Sequence, residues 1–214
     1  MPTEVEAKFL AADAAPLERL ETASRLGDAR LGPIVVADEL DRYLDTAAGH
    51  LTEARWACRL RERQGSIRVS LKGPPIAVDT NRPWLHRRPE VEGPATEELH
   101  PRAWPASEAR DQLVRLSGGA ALVEQLCLRQ RRGERPVVLD GERIGTLSLD
   151  HCEVETDAGR VGILYVVELE LAAGAGRDEA ALDRIAEALA ISPGLEPEPR
   201  TKYEHALAMR ATAA

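Results

Sequence analysis

The sequence predicts an α+β fold built mainly from antiparallel strands. Most of the chain alternates apolar and polar residues at every second position, which is the period of a β-strand. Turn-forming segments such as QG, DGER and DAGR separate the alternating runs. Three other stretches repeat apolar residues at helical spacing and lie between runs of strands, an arrangement typical of the α+β class. Because the Pro-rich connections are short, we expect one domain over residues 1–214.

Three helices are predicted from their ends and from their apolar spacing. The first is ADAAPLERLETASRLG, with Asp13 as N-cap, Pro16 in the first turn and Gly27 as the stop. The second begins near Ser107, in SEARDQLVRLSGG. The third is RDEAALDRIAEALAI, whose apolar residues follow the i, i+3, i+4, i+7 rule of an amphipathic helix.

Between the helices the chain has the pattern of β-strands. Pro89 lies inside one of them and removes a donor from the hydrogen-bond ladder, so we expect an edge strand or a bulge at that point. The candidate strands are TEVEAKFL, ELDRYLDT, ARWACRLRER, SIRVSLKG, HRRPEVEG, EQLCLRQRR, RPVVLDG, IGTLSLDHCEV and ILYVVELEL.

Composition excludes several classes of protein. The chain is 43% apolar and 30% charged, as in soluble globular proteins. No apolar run approaches the ~20 residues that span a bilayer, and the acidic start lacks the layout of a signal peptide, so we expect a cytoplasmic protein with no membrane partner. The net charge of −8 argues against nucleic acid as the partner. Cys58, Cys127 and Cys152 have neither disulfide nor zinc spacing, and we expect buried thiols.

Charged residues on the strands are segregated by type. In the opening strand, Glu4, Glu6 and Lys8 share one face, and the intervening residues are apolar. Other strands show the same split between a charged and an apolar face. Their charged or polar faces carry Arg59, Arg61 and Arg63; Arg68, Ser70 and Lys72; Arg88, Glu90 and Glu92; Arg129 and Arg131; and Glu168 and Glu170.

A half-buried sheet with one face in water would also alternate, but its polar face usually mixes residue types. Here carboxylates and guanidinium groups predominate. Arginine suits planar, multidentate recognition of phosphate or carboxylate. We therefore favour a closed or nearly closed sheet whose charged faces point inward, where opposite charges, water or a charged ligand must compensate them. Glutamates suit a hard divalent cation and the basic residues suit a polyanion, so together they predict a metal-bound phosphate chain.

Several motifs resemble those of the CYTH superfamily, the triphosphate tunnel metalloenzymes, which includes class IV adenylate cyclases, thiamine triphosphatases and inorganic triphosphatases. The opening E-x-E-x-K of Glu4, Glu6 and Lys8 resembles the N-terminal signature. The resemblance extends from Glu4 to Glu204. The later motifs are YLDT at 43–46, CRLR at 58–61, SLKGP at 70–74, RPE at 88–90, the basic strand with Arg129 and Arg131, Asp150 at an acidic strand end, ELE at 168–170 and TKYE at 201–204.

This resemblance implies an antiparallel eight-stranded β-barrel, or tunnel, with helices packed outside and with Mg²⁺ or Mn²⁺ as cofactor. The implied metal ligands are Glu4, Glu6, Asp150, Glu168 and Glu170. The implied substrate-binding residues are Lys8, Arg59, Arg61, Lys72, Arg129, Arg131 and Lys202. The implied catalytic residues are Glu4, Glu6, Lys8, Lys72, Glu168 and Glu170. Register between Arg129 and Arg131 stays open because a slip of two residues keeps the same face. The roles of Arg88, Glu90 and Glu92 also stay open.

We expect a metal-dependent triphosphatase that acts on inorganic tripolyphosphate or a small organic triphosphate, since such hydrolysis needs charge neutralisation and a positioned water. Aromatic residues make up 3% of the chain, and this scarcity favours the bare tripolyphosphate. The alternatives are a class IV adenylate cyclase, a thiamine triphosphatase and a non-catalytic module that binds polyphosphate or nucleotide. The expected partner is a triphosphate-containing small molecule, and a homodimer remains open.

Overall fold

A computed structural model describes residues 1–76, 79–172 and 179–213. The strands are β1 (Thr3–Ala11), β2 (Arg25–Leu26), β3 (Ala29–Leu31), β4 (Val35–Thr46), β5 (Ala57–Arg63), β6 (Ser66–Lys72), β7 (Leu85–Pro94), β8 (Leu122–Leu139), β9 (Glu142–Thr156), β10 (Gly159–Leu171) and β11 (Leu195–Pro197). The helices are α1 (Ala15–Thr22), α2 (His50–Glu53), α3 (Glu108–Ser117), α4 (Glu179–Ala190) and α5 (Lys202–Ala213), with a short 3₁₀ turn at Pro101–Ala103.

Eight strands close into an antiparallel barrel. Around the barrel the order is β1, β10, β9, β8, β4, β5, β6 and β7, and β7 pairs with β1 to complete the circle. The short strands β2 and β3 extend the sheet beside β8, and β11 pairs with β1. The predicted α+β barrel with helices outside is therefore confirmed. Two predicted segments, EQLCLRQRR and RPVVLDG, form the single strand β8.

The outer face of the barrel forms the main hydrophobic cores. Phe9 and Leu169 point outward from β1 and β10 and pack with Leu182 and Leu189 of α4. On the opposite side, Leu113 of α3 belongs to a second core with apolar residues of β5, β6 and β7. Burying a leucine side chain fully contributes ~1.5–3 kcal/mol to the stability of the fold. Packing of these helices therefore excludes water from the outer face of the barrel, and the charged face of the strands lines the interior.

The inner face changes character along the barrel. At one end it carries Leu126, Leu128, Val154, Leu164 and Val166, and α5 covers them. Toward the other end the same face becomes charged. The interior is thus filled at the α5 end and open to polar groups beyond it.

The predicted helices appear, but with shifted ends: α1 ends at Thr22 and not at the predicted stop Gly27, since Arg25–Leu26 form β2. Ser107 is the N-cap of α3, where its hydroxyl accepts from the Arg110 amide at 3.1 Å, and Gly118 ends the helix in the left-handed region at φ 63°. Ala14 rather than Asp13 occupies the N-cap of α1, although the Asp13 carboxylate accepts from the Ala15 amide at 2.9 Å. The sequence did not predict α2 or α5, because α2 is one turn long and α5 lacks a continuous apolar stripe.

The expectation of an edge or bulge at Pro89 is wrong. Strand β7 pairs with β1 on one side and β6 on the other, without a register shift in either ladder. Pro89 lies opposite Thr3, the first residue of β1. The ladder with β6 ends at the Lys72–Glu90 pair, so Pro89 lies one residue outside that ladder. The missing N–H therefore falls where the ladders end, and its loss is tolerated.

Cys58 and Cys152 are buried free thiols, as expected, whereas Cys127 is a free thiol that is only partly buried. Within the described ranges, no helix has both the length and the apolar character needed to cross a membrane.

Candidate active site

The charged part of the barrel interior is a cavity of about 540 Å³. The chain contains only three lysines, Lys8, Lys72 and Lys202, and all three line this cavity. Lysine is normally a surface residue. Its confinement to the interior indicates that these ammonium groups serve the cavity and do not serve solubility.

A first cluster of charges lies where β1, β6 and β7 meet. Strand alternation places Glu4, Glu6 and Lys8 on the inner face, and Lys8 Nζ donates to Glu6 Oε1 at 3.0 Å. Lys72 Nζ donates to Glu4 Oε1 at 2.5 Å. The Arg88 guanidinium lies 3.2 Å from Glu4 Oε2 and 3.3 Å from Glu6 Oε1. Arg88 is therefore part of the site.

A second cluster joins β8, β9 and β10 to the start of α5. Arg132 donates to both carboxylate oxygens of Asp150 at 2.7 Å and to Glu168 Oε2 at 3.0 Å. Lys202, the first residue of α5, donates to Asp150 and, at 2.8 Å, to Glu168. Lys8 lies 3.4 Å from Glu168 Oε1 and connects this cluster to the first.

A third cluster lies on β4, β5 and β8 and contains two carboxylates that the sequence did not predict. The Arg61 guanidinium donates to Asp41 through Nε at 2.6 Å and through a terminal nitrogen at 2.7 Å, and it lies 3.0 Å from Glu39. The Gln130 amide donates to Glu39 at 2.5 Å. Arg59 approaches Asp41 only to 3.7 Å, and its buried Nε has no hydrogen-bond partner among the described residues.

Glu90 and Glu92, whose roles the sequence left open, lie at the cavity wall. Glu90 accepts from the Ser70 hydroxyl at 2.5 Å and lies 3.4 Å from Lys72. Glu92 is 45% exposed and lies 3.9 Å from the Arg59 guanidinium. An anion bound at Lys72 or Arg59 would therefore come close to these carboxylates and change their electrostatic environment.

Glu170 differs from the other carboxylates because it forms no ion pair with a described residue. It lies directly opposite Glu6 in the β1–β10 ladder, on the same face. The side chain is open to solvent within the cavity, yet surrounding protein separates it from bulk water. This desolvation is the largest cause and the Glu4 charge the second; with the weaker repulsion from Glu6 and Glu90 they outweigh the opposing Lys72 charge and raise the pKa of Glu170 to about 7.

We predict that Glu170→Gln stabilises the metal-free protein relative to wild type as pH rises from about 4.5 to 7. Below the ordinary pKa of 4.5 the carboxyl is protonated in both folded and unfolded states. As pH rises toward 7, the unfolded state ionises first, so wild type loses stability until the folded-state pKa is passed. Thermal unfolding of both proteins across this range measures the effect. His86, a partly buried residue of β7 whose pKa is lowered by burial, titrates in both proteins, so its contribution cancels. Parallel stability curves would contradict the prediction.

The pKa values of two carboxylates that form ion pairs, Glu168 and Asp150, are shifted in the opposite direction, below their ordinary values. Burial opposes ionisation of Glu168, but Lys202, Lys8 and Arg132 hold its pKa well below the usual range. Burial likewise opposes ionisation of Asp150, and Arg132 and Lys202 outweigh it and lower its pKa. These carboxylates are therefore charged at neutral pH, and the cavity holds interleaved opposite charges.

The structure places Arg129 and Arg131 outside the barrel. Arg129 is 61% exposed and donates to Glu155, and Arg131 is 48% exposed and donates to Glu21. Neither lines the cavity. Arg129 and Arg131 were predicted to bind substrate inside the tunnel, and their observed positions show that this prediction is wrong.

The reason is that the inner face of β8 is not charged throughout. Leu126, Leu128, Gln130 and Arg132 share the inner face, and the two leucines fill the end covered by α5. Treating all apolar residues of the strand as outward-facing therefore inverts its orientation. Arg132 is the basic residue of β8 that enters the cavity, where it lies opposite the predicted inner residue Asp150, a pairing that the sequence patterns did not specify.

The oxygen donors of this cavity fit a hard divalent cation. No group of three or more His, Cys, Asp or Glu side chains in the described ranges is already arranged around a metal position. Lys8, Lys72 and Arg88 instead hold the carboxylates Glu4 and Glu6. Like charges directly opposite in a ladder are destabilising, and the Glu6 and Glu170 carboxylates are in this position. A cation with oxygen ligands would relieve their repulsion.

Comparison with known families places this geometry in context. A family model for the CYTH domain matches residues 2–207. The chain belongs to the CYTH family. Solved structures with the same fold include HpAC1 from Hippeastrum, a putative adenylyl cyclase described as having a dominant triphosphatase activity. That protein is 20% identical with a TM-score of 0.67, and the alignment covers 98% of this chain and 96% of the other.

Two further structures are similar to this CYTH domain. A putative adenylate cyclase from Bacillus halodurans is 20% identical with a TM-score of 0.59, and the PH1819 protein from Pyrococcus horikoshii OT3 is 22% identical with a TM-score of 0.55. Each alignment covers 96% of this chain and 98% of the other. No curated protein sequence matches significantly. At these identities the comparison establishes the fold, and the family model establishes the membership.

Proposed function

We propose that this CYTH domain is a metal-dependent triphosphatase that hydrolyses inorganic tripolyphosphate or a small organic triphosphate. The observation that carries the proposal is that all three lysines, with tunnel arginines, share one cavity with the facing carboxylates Glu6 and Glu170. A polyanion alone would leave those carboxylates repelled, and a cation alone would leave the basic groups unmatched. A metal-bound triphosphate satisfies both.

Substrate binding would exchange ion-pair partners inside the barrel. Lys8, Lys72 and Arg88 now hold the carboxylates Glu4 and Glu6. These cations would turn to phosphate oxygens and release the carboxylates toward the metal. Each buried charge keeps an opposite charge throughout, so the large cost of an unpaired buried ion is avoided.

The proposed metal ligands are Glu4, Glu6, Glu168, Glu170 and Asp150, with Mg²⁺ or Mn²⁺ as the ion. Such an ion neutralises phosphate charge and lowers the pKa of a bound water. The chain itself supplies positioning and charge: Arg59 offers an Nε that has no hydrogen-bond partner among the described residues, and Lys202 enters from α5. Phosphoryl transfer needs little beyond this positioning and electrostatic stabilisation.

The lining of the cavity favours a substrate without an aromatic ring. Its aromatic residues within the described ranges are Tyr43 and Tyr203, and these stack on each other with ring centroids 4.7 Å apart. Each ring therefore has one face covered by the other, which leaves less aromatic surface for a base or a thiamine ring. Inorganic tripolyphosphate is therefore the leading substrate.

The second candidate is a class IV-type adenylate cyclase, supported by HpAC1, for which both a putative cyclase identity and a dominant triphosphatase activity are described. Phosphorus NMR separates the reactions when the protein is incubated with tripolyphosphate, thiamine triphosphate or ATP and Mg²⁺ or Mn²⁺. Orthophosphate from tripolyphosphate supports the triphosphatase, whereas cyclic AMP with pyrophosphate supports the cyclase. Tight anion binding that survives metal chelation, without turnover of any substrate, would instead indicate a non-catalytic binding module.

We predict that Lys72→Ala raises KM for tripolyphosphate roughly tenfold, the value of one charge-assisted hydrogen bond, with a smaller change in kcat. Its ammonium group lies between Glu4 and Glu90 and is available to phosphate once those carboxylates turn away. Steady-state phosphate release measures both constants. Arg160→Ala is the control because Arg160 is 56% exposed and pairs with Glu153 away from the cavity. An unchanged KM in Lys72→Ala would remove this residue from the phosphate site.

A further inference from the structure

A second cavity of about 350 Å³ adjoins the tunnel along the β5–β6 hairpin. The two cavities share the side chains of Arg59, Arg61 and Glu92. Arg63 and Arg68 line only the second cavity, together with small polar side chains of the hairpin. An anion chain in the tunnel could therefore continue into this second cavity without leaving protein contact.

The charges of this second cavity are unbalanced toward positive. Its described lining contains four arginines and a single carboxylate, Glu92. Arg61 and Arg68 lie directly opposite in the β5–β6 ladder, where like charges are destabilising. Arg68 is 54% exposed and comes no closer than 3.7 Å to Glu92, its ion-pair partner. Asp41 and Glu39 compensate Arg61 from outside this lining, and Arg63 pairs with Glu39 and Glu134. Arg68 therefore has the weakest compensation of the arginines on the hairpin, since Glu92 lies 3.7 Å away.

Arg59 lines both cavities, and its guanidinium group does not use all of its hydrogen-bonding capacity. It is largely buried, its Nε has no hydrogen-bond partner among the described residues, and its nearest carboxylates are Asp41 at 3.7 Å and Glu92 at 3.9 Å. A buried guanidinium donor without a partner is costly. An oxyanion between Arg59 and the hairpin arginines would supply the missing acceptor.

We propose that the arginine cavity binds the phosphates of a linear inorganic polyphosphate beyond the third, so that chains of four or more phosphates are substrates. This proposal rests on the proposed triphosphatase function. Ser66 and Gln64 add neutral donors, and the described lining contains no aromatic residue for a base. Phosphate oxygens repeat along such a chain and match guanidinium groups that repeat along the hairpin.

The reaction stays a balanced hydrolysis. One water molecule attacks the terminal phosphorus in the tunnel, and the bridging P–O–P bond breaks. The bridging oxygen leaves with the shortened chain, the attacking oxygen stays on the released orthophosphate, and the water protons are shared between product and solvent. The arginine cavity holds the shortened chain and takes no part in the bond changes.

The test compares tripolyphosphate with tetrapolyphosphate in wild type, Arg68→Gln and Arg68→Lys. Arg160→Gln is the matched control, since Arg160 is 56% exposed and Arg68 is 54% exposed. We expect Arg68→Gln to raise KM for tetrapolyphosphate roughly tenfold and KM for tripolyphosphate less than twofold, because one charged hydrogen bond is lost only to the fourth phosphate. Arg68→Lys keeps the charge and should lie between wild type and Arg68→Gln. Circular dichroism confirms that each variant is folded.

Calorimetric binding of both polyphosphates to the metal-free proteins separates this proposal from the proposed function. If neither compound is hydrolysed but Arg68→Gln still weakens tetrapolyphosphate binding selectively, the triphosphatase proposal fails and the arginine cavity stands. Equal changes for both chain lengths, or none, overturn the arginine cavity while leaving the triphosphatase intact. Failure of wild type to bind tetrapolyphosphate also overturns it.

Discussion

Glu6→Gln is expected to lower kcat for metal-dependent hydrolysis of tripolyphosphate by roughly 10²–10³-fold, the scale of losing one preorganised electrostatic contact in an active site. Glutamine keeps the shape of the side chain and removes its charge. Glu6 is 3% exposed, faces Glu170 in the ladder and holds Lys8 at 3.0 Å. Its loss would weaken the proposed cation site and leave Lys8 with less compensation.

Phosphate release with Mg²⁺ or Mn²⁺ measures this effect, and calorimetry with Mn²⁺ alone reports the metal affinity. Glu196→Gln is a matched control, since Glu196 is an exposed residue of β11, the strand that pairs with the far end of β1. We expect the control to retain both activity and metal binding. A Glu6→Gln protein with wild-type turnover would refute the metal assignment of this residue.

Arg132→Gln is expected to destabilise the fold by ~3–5 kcal/mol, the cost of removing one partner from a buried ion pair. Arg132 is 8% exposed and holds Asp150, which is fully buried, through two bonds of 2.7 Å. For a chain of this size the loss corresponds to a fall in Tm of roughly 6–20 °C. Lys202 would remain as the counter-charge of Asp150.

Thermal and denaturant unfolding measure the loss. Arg131→Gln changes the adjacent residue on the outer face, where an exposed ion pair contributes ~0.2–1 kcal/mol, and should remain close to wild type. Adding Asp150→Asn to Arg132→Gln removes a buried carboxylate that would keep only Lys202 as its counter-charge, and should restore part of the stability. Equal stabilities of the Arg132 and Arg131 variants would mean that the charge cluster does not hold the barrel together.

Much of the barrel could be predicted because its strands obey one simple rule. On β1 and β10 the inward residues are charged and the outward ones apolar, so Glu4, Glu6, Lys8, Glu168 and Glu170 were assigned to the correct face. The rule fails where the interior becomes apolar. No pattern local to β8 shows that Leu126 and Leu128 point inward, since their burial depends on α5, which is more than sixty residues later in the chain.

Site residues could be predicted where they belong to a motif. They were harder to predict where they only supply the opposite charge to a motif residue. Arg61 belongs to the CRLR motif, but its partners Glu39 and Asp41 lie on β4 and were not singled out. Their role comes from being the nearest carboxylates across the ladder. Such partners are defined by pairing and register, which local sequence patterns do not specify.

The confinement of lysine to the tunnel has a practical consequence for spectroscopy. In protein labelled with ¹⁵N-lysine, every side-chain ammonium signal arises from Lys8, Lys72 or Lys202, and therefore from the cavity wall. The three signals would report occupancy and charge state from three different elements, β1, β6 and α5. Amine-reactive reagents would have the same restriction apart from the N-terminus. The distribution of one residue type thus provides an isotopic probe set that needs no engineered label.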